Sequence, residues 1–146
     1  MKKILSLIVV MAITLILVGC NINNDKSNLS EEELSVIYKE QKDAFNYFWE
    51  TTNHQESSSG YGLARDRYPG NPEIASVAAV GYALSSYIVG VDEGWITREE
   101  GFERTSKTLD TLLKMDRVEG FYFHFVNIYN GKRAWNSEVS VIDTAI

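Results

Sequence analysis

Ala134-Trp135-Asn136-Ser137-Glu138-Val139-Ser140-Val141-Ile142-Asp143-Thr144-Ala145-Ile146, the last stretch of the chain, sets two carboxylates, several hydroxyls and an indole into an otherwise apolar run. Ser137 reads as a helix N-cap, with Glu138 in the first turn, where an acid suits the helix dipole. Val139, Ile142 and Ile146 recur at helical spacing and form a stripe that wants burial. Asp143 lies beside that stripe, and a buried carboxylate is costly unless it is paired or put to use. No cap, Gly or Pro ends this helix, so the stretch reads as the front part of a larger fold.

The segment before it, Gly120-Phe121-Tyr122-Phe123-His124-Phe125-Val126-Asn127, is aromatic and extended in character, and Asn130-Gly131 is a turn signal. A short hairpin-like excursion is therefore expected ahead of the last helix. Three further helices are expected upstream. Ser30-Glu31-Glu32-Glu33 is a capping box that opens the first, with Leu34, Ile37, Tyr38, Gln41, Phe45, Phe48 and Trp49 on one face and an end near Thr52. Phe45 and Phe48 read as core, whereas Trp49 and Glu50 read as bordering a cleft. Pro72 and Gly90 bracket a second helix that is apolar around most of its circumference and so belongs inside. Thr97-Arg98-Glu99-Glu100 is another capping box, opening a third helix to about Met115 with Phe102, Thr105, Leu109 and Leu112 or Leu113 turned inward. The second and third helices pair as a hairpin.

The long loop over 53–71 holds Gly62-Leu63-Ala64-Arg65-Asp66-Arg67, an acid between two arginines that favour its ionised form. A loop of that length is a place to look for function. A surface salt bridge is the plainer alternative.

At the other end, Met1-Lys2-Lys3 followed by the apolar run Ile4 to Val18 and Gly19-Cys20 has the form of a secretory signal, spanning 1–19. Leu17-Val18-Gly19-Cys20 resembles a bacterial lipobox, in which cleavage precedes the cysteine and the thiol takes a diacylglycerol. Cys20 is the only cysteine, so no disulfide forms within the chain. The apolar run is short for a membrane span, so a lipid-anchored, exported protein is expected, tethered by the polar stretch 20–29 to a folded part over 30–146.

The chain carries 14 basic against 20 acidic residues, a net charge of −6, and the acidity argues against a nucleic-acid partner. Aromatics reach 12%, with eight Tyr and three Trp, which suits a sugar ligand as well as a core. No second His, Cys or carboxylate stands at metal-ligand spacing from His124, and there is no Gly-rich phosphate loop or Gly-x-Ser-x-Gly elbow, so neither metal nor cofactor is expected.

Six motifs in order carry a resemblance. They are Phe45-x-Tyr47-Phe48-Trp49-Glu50, Gly62-Leu63-x-x-Asp66-Arg67, Ala75-Ser76-Val77-Ala78-Ala79-x-Gly81, Gly94-Trp95-Ile96-x-Arg98, Gly120-Phe121-Tyr122-x-His124-Phe125, and Ser137-Glu138-x-Ser140-x-Ile142-Asp143-Thr144-Ala145. From about Asp43 onward the chain resembles the bacterial glucoamylase-like family, which includes endo-β-1,2-glucanases and a domain of cyclic β-1,2-glucan synthases. The inserted Gln55 to Ser59 departs from the pattern. The resemblance implies an all-α fold, an incomplete (α/α)6 toroid of which this chain supplies about the first four helices, inactive by itself. It implies hydrolysis of a β-glucan, with β-1,2-glucan foremost, by carboxylate acid–base chemistry, which needs one carboxyl protonated and one ionised. It implies Glu138 as general acid, its pKa raised by burial against Trp135 and Tyr122. Asp66 and Asp143 follow as candidates for base, water positioning or sugar binding, and Arg67, Trp49, Tyr122, His124 and Trp135 as sugar contacts. On one helix, Glu138 and Asp143 would point about 140° apart, which would keep them from facing one bond together. A non-catalytic carbohydrate-binding lipoprotein is the alternative.

Overall fold

The computed structural model describes residues 29–145. The signal segment 1–19, Cys20, the tether apart from Leu29, and Ile146 lie outside the described residues. Two compact units divide the chain, Met1–Val36 and Ile37–Ile146. In the first unit the described residues hold the expected capping box: Glu33 N–H donates to Ser30 Oγ (3.2 Å) and Ser30 N–H to Glu33 Oε2 (2.8 Å). That box opens α1 (Glu31–Thr51), which ends where its sequence pattern ends.

The second unit is built on α2 (Val77–Asp92), whose Ala79, Val80, Ala83 and Tyr87 form the centre of the core. α1 meets it through Phe45, the one residue of α1 that is fully buried. The close approach depends on Gly90, because a Cβ there would stand 2.3 Å from Phe45 Cε2. α3 (Arg98–Lys114) starts at the expected capping box, with both reciprocal bonds between Thr97 and Glu100 formed. Helices carry the fold, and the strands are only two or three residues long.

β1 (Ile74–Ser76) pairs antiparallel with β4 (Phe125–Asn127), Ala75 opposite Val126. β2 (Arg117–Val118) and β3 (Phe121–Tyr122) form a small hairpin around Glu119 and Gly120, both at positive φ (51° and 91°). The chain reverses again at Asn130-Gly131, as its turn signal predicts, and Arg133 bridges back to Val126.

Three expectations fail. The second helix begins at Val77, not Pro72, and runs through Gly90 to Asp92. Ile74 to Ser76 are drawn into the sheet with β4, and Ser76 then caps α2 by accepting from Ala79 N–H (3.3 Å). On α3 the buried stripe is Gly101, Thr108 and Thr111, and Leu112 packs against the core as expected, while Phe102 is 74% exposed and Leu109 and Leu113 are also exposed. The small stripe is needed because Gly62 seats directly on Thr108, leaving no room for a larger side chain. Likewise Leu34, Ile37 and Tyr38 of α1 are exposed. The third failure concerns the closing stretch: its helix, α4, covers only Val141–Thr144 and is capped by Ser140, not Ser137.

Candidate active site

Residues 137 to 140 run extended against residues 122 to 125. Phe123 pairs with Val139 in an antiparallel bridge, His124 N–H donates to Glu138 O (2.9 Å), and Ser140 N–H to Tyr122 O (2.9 Å). Ser137 is buried at the head of this ladder. Its Oγ accepts from Phe125 N–H (3.2 Å) and donates to Phe125 O (3.0 Å). Extended pairing places Glu138 beside His124, and Glu138 Oε1 lies 2.8 Å from His124 Nδ1. α4 then turns the chain back, since Ser140 Oγ accepts from Asp143 N–H (3.2 Å) and Thr144 Oγ1 accepts from Tyr122 N–H (3.0 Å). Asp143 Oδ2 arrives 3.5 Å from His124 Nε2. The imidazole thus stands between two carboxylates. The side chains are 68% exposed for Glu138, 29% for His124 and 16% for Asp143.

This geometry corrects two expectations. Glu138 is not in a helical first turn, so the divergence of Glu138 and Asp143 around a helix does not occur. Nor is Glu138 buried with a raised pKa. The hydrogen bond from His124, then its own backbone N–H, hold its carboxyl below the ordinary value, with charge from His124 and Arg133 adding to them. Arg133 is fixed beside it by donating through Nε to Ser137 O (2.6 Å) and through a terminal nitrogen to Asn136 O (2.8 Å), over the Phe123 ring.

Aromatic rings line one side of the cluster. His124 stacks on Phe125 at 3.9 Å between centroids, and the exposed Trp135 meets Phe125 edge-on at 5.4 Å. Trp135 and Asn136 both adopt positive φ, which sends the indole outward. Tyr122 reaches the other way, donating its hydroxyl to Leu112 O (2.9 Å). It shares with Asp143 and Thr144 the wall of a cavity of about 300 Å³.

The other candidates lie apart. Asp66 and Arg67 pair with each other (Nε to Oδ2, 2.8 Å) at the far side of β1, because Asp66 N–H donates to Ile74 O and Arg65 bridges Ala75. β1 therefore stands between their segment and β4. Arg65 does not join the pair but reaches Gly70 O (3.0 Å). Trp49 is partly buried against the core: it stacks on Phe45, meets Tyr87 edge-on, and carries the Arg104 guanidinium 3.6 Å above its ring.

Ser140 and Arg133 were missed by the reading of the sequence. Ser140-Val141-Ile142-Asp143 has capping-box spacing and marks the true start of α4. Nothing local marks Arg133. Among the described residues no group of three or more His, Cys, Asp or Glu is placed to hold a metal ion.

No family model matches the chain. It is similar to an exo-β-1,2-glucooligosaccharide sophorohydrolase (non-reducing end) of Parabacteroides distasonis, 34% identical over 104 residues, which cover 71% of this chain and 14% of that protein. Among solved structures it is similar to a β-1,2-glucanase from Parabacteroides distasonis, with a TM-score of 0.67 and 30% identity, over 80% of this chain and 16% of that one. It is similar also to a candidate glucoamylase from Bacteroides uniformis ATCC 8492, with a TM-score of 0.65 and 30% identity, over 82% of this chain and 29% of that one. The chain thus spans less than a third of the length of each. The fold is the expected partial all-α arrangement of the toroid class.

Proposed function

We propose that this chain, which belongs to the bacterial glucoamylase-like family, serves in a glycoside hydrolase that acts on a β-glucan, with the β-1,2 linkage as its target. The observation that carries this reading is the meeting of Glu138 and Asp143 at the two nitrogens of His124. The relatives whose names specify β-1,2-linked glucans supply the substrate class. Hydrolysis needs one ionised and one protonated carboxyl. Glu138, held down by His124, fills the ionised role in this geometry, so His124 acts as a positioning residue. Trp135 offers an exposed ring on which a sugar face can stack. Asp66 and Arg67, beyond β1, are proposed as contacts for a more distant sugar unit.

The same observation favours a second reading, a carbohydrate-binding lipoprotein without catalysis. An exposed, ionised Glu138 can bind hydroxyl groups without a matched proton donor. One experiment, on the whole hydrolase in which this chain serves, separates the two: reducing-sugar release from β-1,2-glucan beside binding calorimetry on the same sample. Hydrolysis predicts that Glu138→Gln keeps binding and cuts turnover by roughly two to four orders of magnitude. A glucoside with a good leaving group then assigns the role, because a variant lacking the acid still turns it over and a variant lacking the base does not. Binding without release by the unaltered protein would overturn the enzymatic reading.

Export and lipid anchoring through Cys20 form part of the proposal, supported by the lipobox-like Leu17-Val18-Gly19-Cys20. The protein should partition into detergent, and Cys20→Ala should abolish that. A wild type found entirely in the aqueous phase would refute the anchor.

A further inference from the structure

The His124 cluster is not the only place where the fold gathers polar and aromatic groups. A second cleft, of about 760 Å³, opens between the last turns of α1, the loop that follows it, and Tyr129 beyond β4. Its volume is that of a small-molecule site. None of Glu138, His124 and Asp143 lines it.

Its walls are held rigidly. Asn53 is buried and its Nδ2 donates to Gly60 O (3.1 Å) and Ile128 O (2.9 Å), tying the loop to the segment after β4. Gly60 packs so tightly there that a Cβ would lie 2.2 Å from Ile128 O. Tyr47 donates its hydroxyl to Arg65 O (3.0 Å), which joins α1 to the opposite wall. These bonds leave a preformed cleft.

The groups facing it suit hydroxyl-rich, uncharged ligands. Tyr68 is 69% exposed and Tyr129 is half exposed, so two rings are presented to solvent. The Arg65 guanidinium lies 5.2 Å from the Tyr68 ring centre and donates to Gly70 O (3.0 Å), which steadies that ring. Arg65 Nε is buried and makes no hydrogen bond with any described residue, an orphan donor in the cleft wall. Glu50 supplies an exposed acceptor and Asn46 both a donor and acceptors. With Asp43 and Glu50 against Arg65, the cleft carries no excess of positive charge, which disfavours phosphorylated or acidic ligands.

We infer that this cleft is a second saccharide site, separate from the His124 cluster, that takes a short neutral gluco-oligosaccharide with a sugar face on Tyr68. The choice of sugar rests on the proposed function; the existence of the site rests on the cleft. A second site would keep a glucan chain close to the protein between encounters with Glu138.

The test is a titration of the full chain with a β-1,2-linked glucotriose at millimolar concentration, followed by backbone amide resonances. Saturable shifts are expected at Glu50, Asn53, Tyr68 and Tyr129. Tyr68→Ala should weaken them about tenfold, the scale of one lost stacking contact. Because Tyr68 is exposed, the variant should keep the wild-type circular dichroism; should it not, Glu50→Gln replaces it as the probe. Glu138→Gln should leave the cleft shifts unchanged, so a failed hydrolysis reading, seen in sugar release and at residues 122–143, is told apart from a failed cleft. Shifts confined to residues 122–143, cleft shifts indifferent to Tyr68→Ala and to Glu50→Gln, or displacement of the triose by a simple diamine would each overturn the inference.

Discussion

Ser137 is the residue on which the reading of the site turns, and changing it tests that reading by sign. Were Ser137 a helix N-cap, Asp would serve there as well as Ser, and the added charge would help by about 0.3–1 kcal/mol. In the structure Ser137 is 7% exposed and its hydroxyl both accepts from and donates to the Phe125 backbone. Phe125 O has a second partner in Ala134 N–H (2.9 Å), whereas among the described residues Phe125 N–H donates to Ser137 Oγ alone. Ser137→Ala therefore leaves one buried donor unmet, at a cost of about 1–3 kcal/mol. Ser137→Asp meets that donor but turns an acceptor toward Phe125 O and desolvates a carboxylate, so it should cost at least as much. Urea unfolding of the full chain, followed by far-ultraviolet circular dichroism, reads this directly. With a slope of about 2 kcal/mol/M, a loss of about 2 kcal/mol lowers the midpoint by about 1 M. A Ser137→Asp variant as stable as wild type, or more so, would refute the extended pairing and restore the helix.

Two further predictions concern charge and backbone. Glu138 has a folded pKa below its reference value of 4.5, so its contact with His124 stabilises the fold above about that pH and is lost as pH falls through the depressed value. A carboxyl titration by nuclear magnetic resonance should show a midpoint below 4.5 that returns toward it in His124→Ala; a wild-type midpoint at or above 4.5 would contradict the geometry. Gly62→Ala forces a side chain to φ +79° and sets its Cβ 1.9 Å from Thr108 Oγ1, so it should destabilise by about 2–5 kcal/mol in the same urea assay. A midpoint within error of wild type would show that the loop does not seat on α3 as described.

The parts of the fold that were legible are those fixed within a few residues. The capping boxes at Ser30 and Thr97 each close through reciprocal bonds three residues apart, and both helices start where those signals stand. The Asn130-Gly131 turn is equally local. What the sequence hid depends on distant partners. Ile74-Ala75-Ser76 continues the apolar pattern of α2, and only pairing with Phe125 to Asn127, some fifty residues away, makes it a strand. The inward face of α3 was misjudged for a related reason. Hydrophobicity favours Phe102 and Leu109, but the space is set by Gly62 and by α2, so Gly101, Thr108 and Thr111 are the fully buried residues and Leu112 packs beside them.

The same dependence explains the site. A single helix through Glu138 and Asp143 would turn the two carboxylates away from each other. The extended run ending at Ser140, followed by one helical turn, brings both to His124 instead. The charge on Glu138 follows from that arrangement, because the imidazole that positions it also stabilises its ionised form. If Glu138 is to give up a proton to a leaving group, something must cover it, and the desolvation must outweigh the hydrogen bond from His124. If it remains open to solvent, it works as a carboxylate, and the proton must come from another group. Which of these holds is therefore a question about what packs over residues 135 to 143, and turnover of the activated glucoside by Glu138→Gln answers it whatever the covering group is.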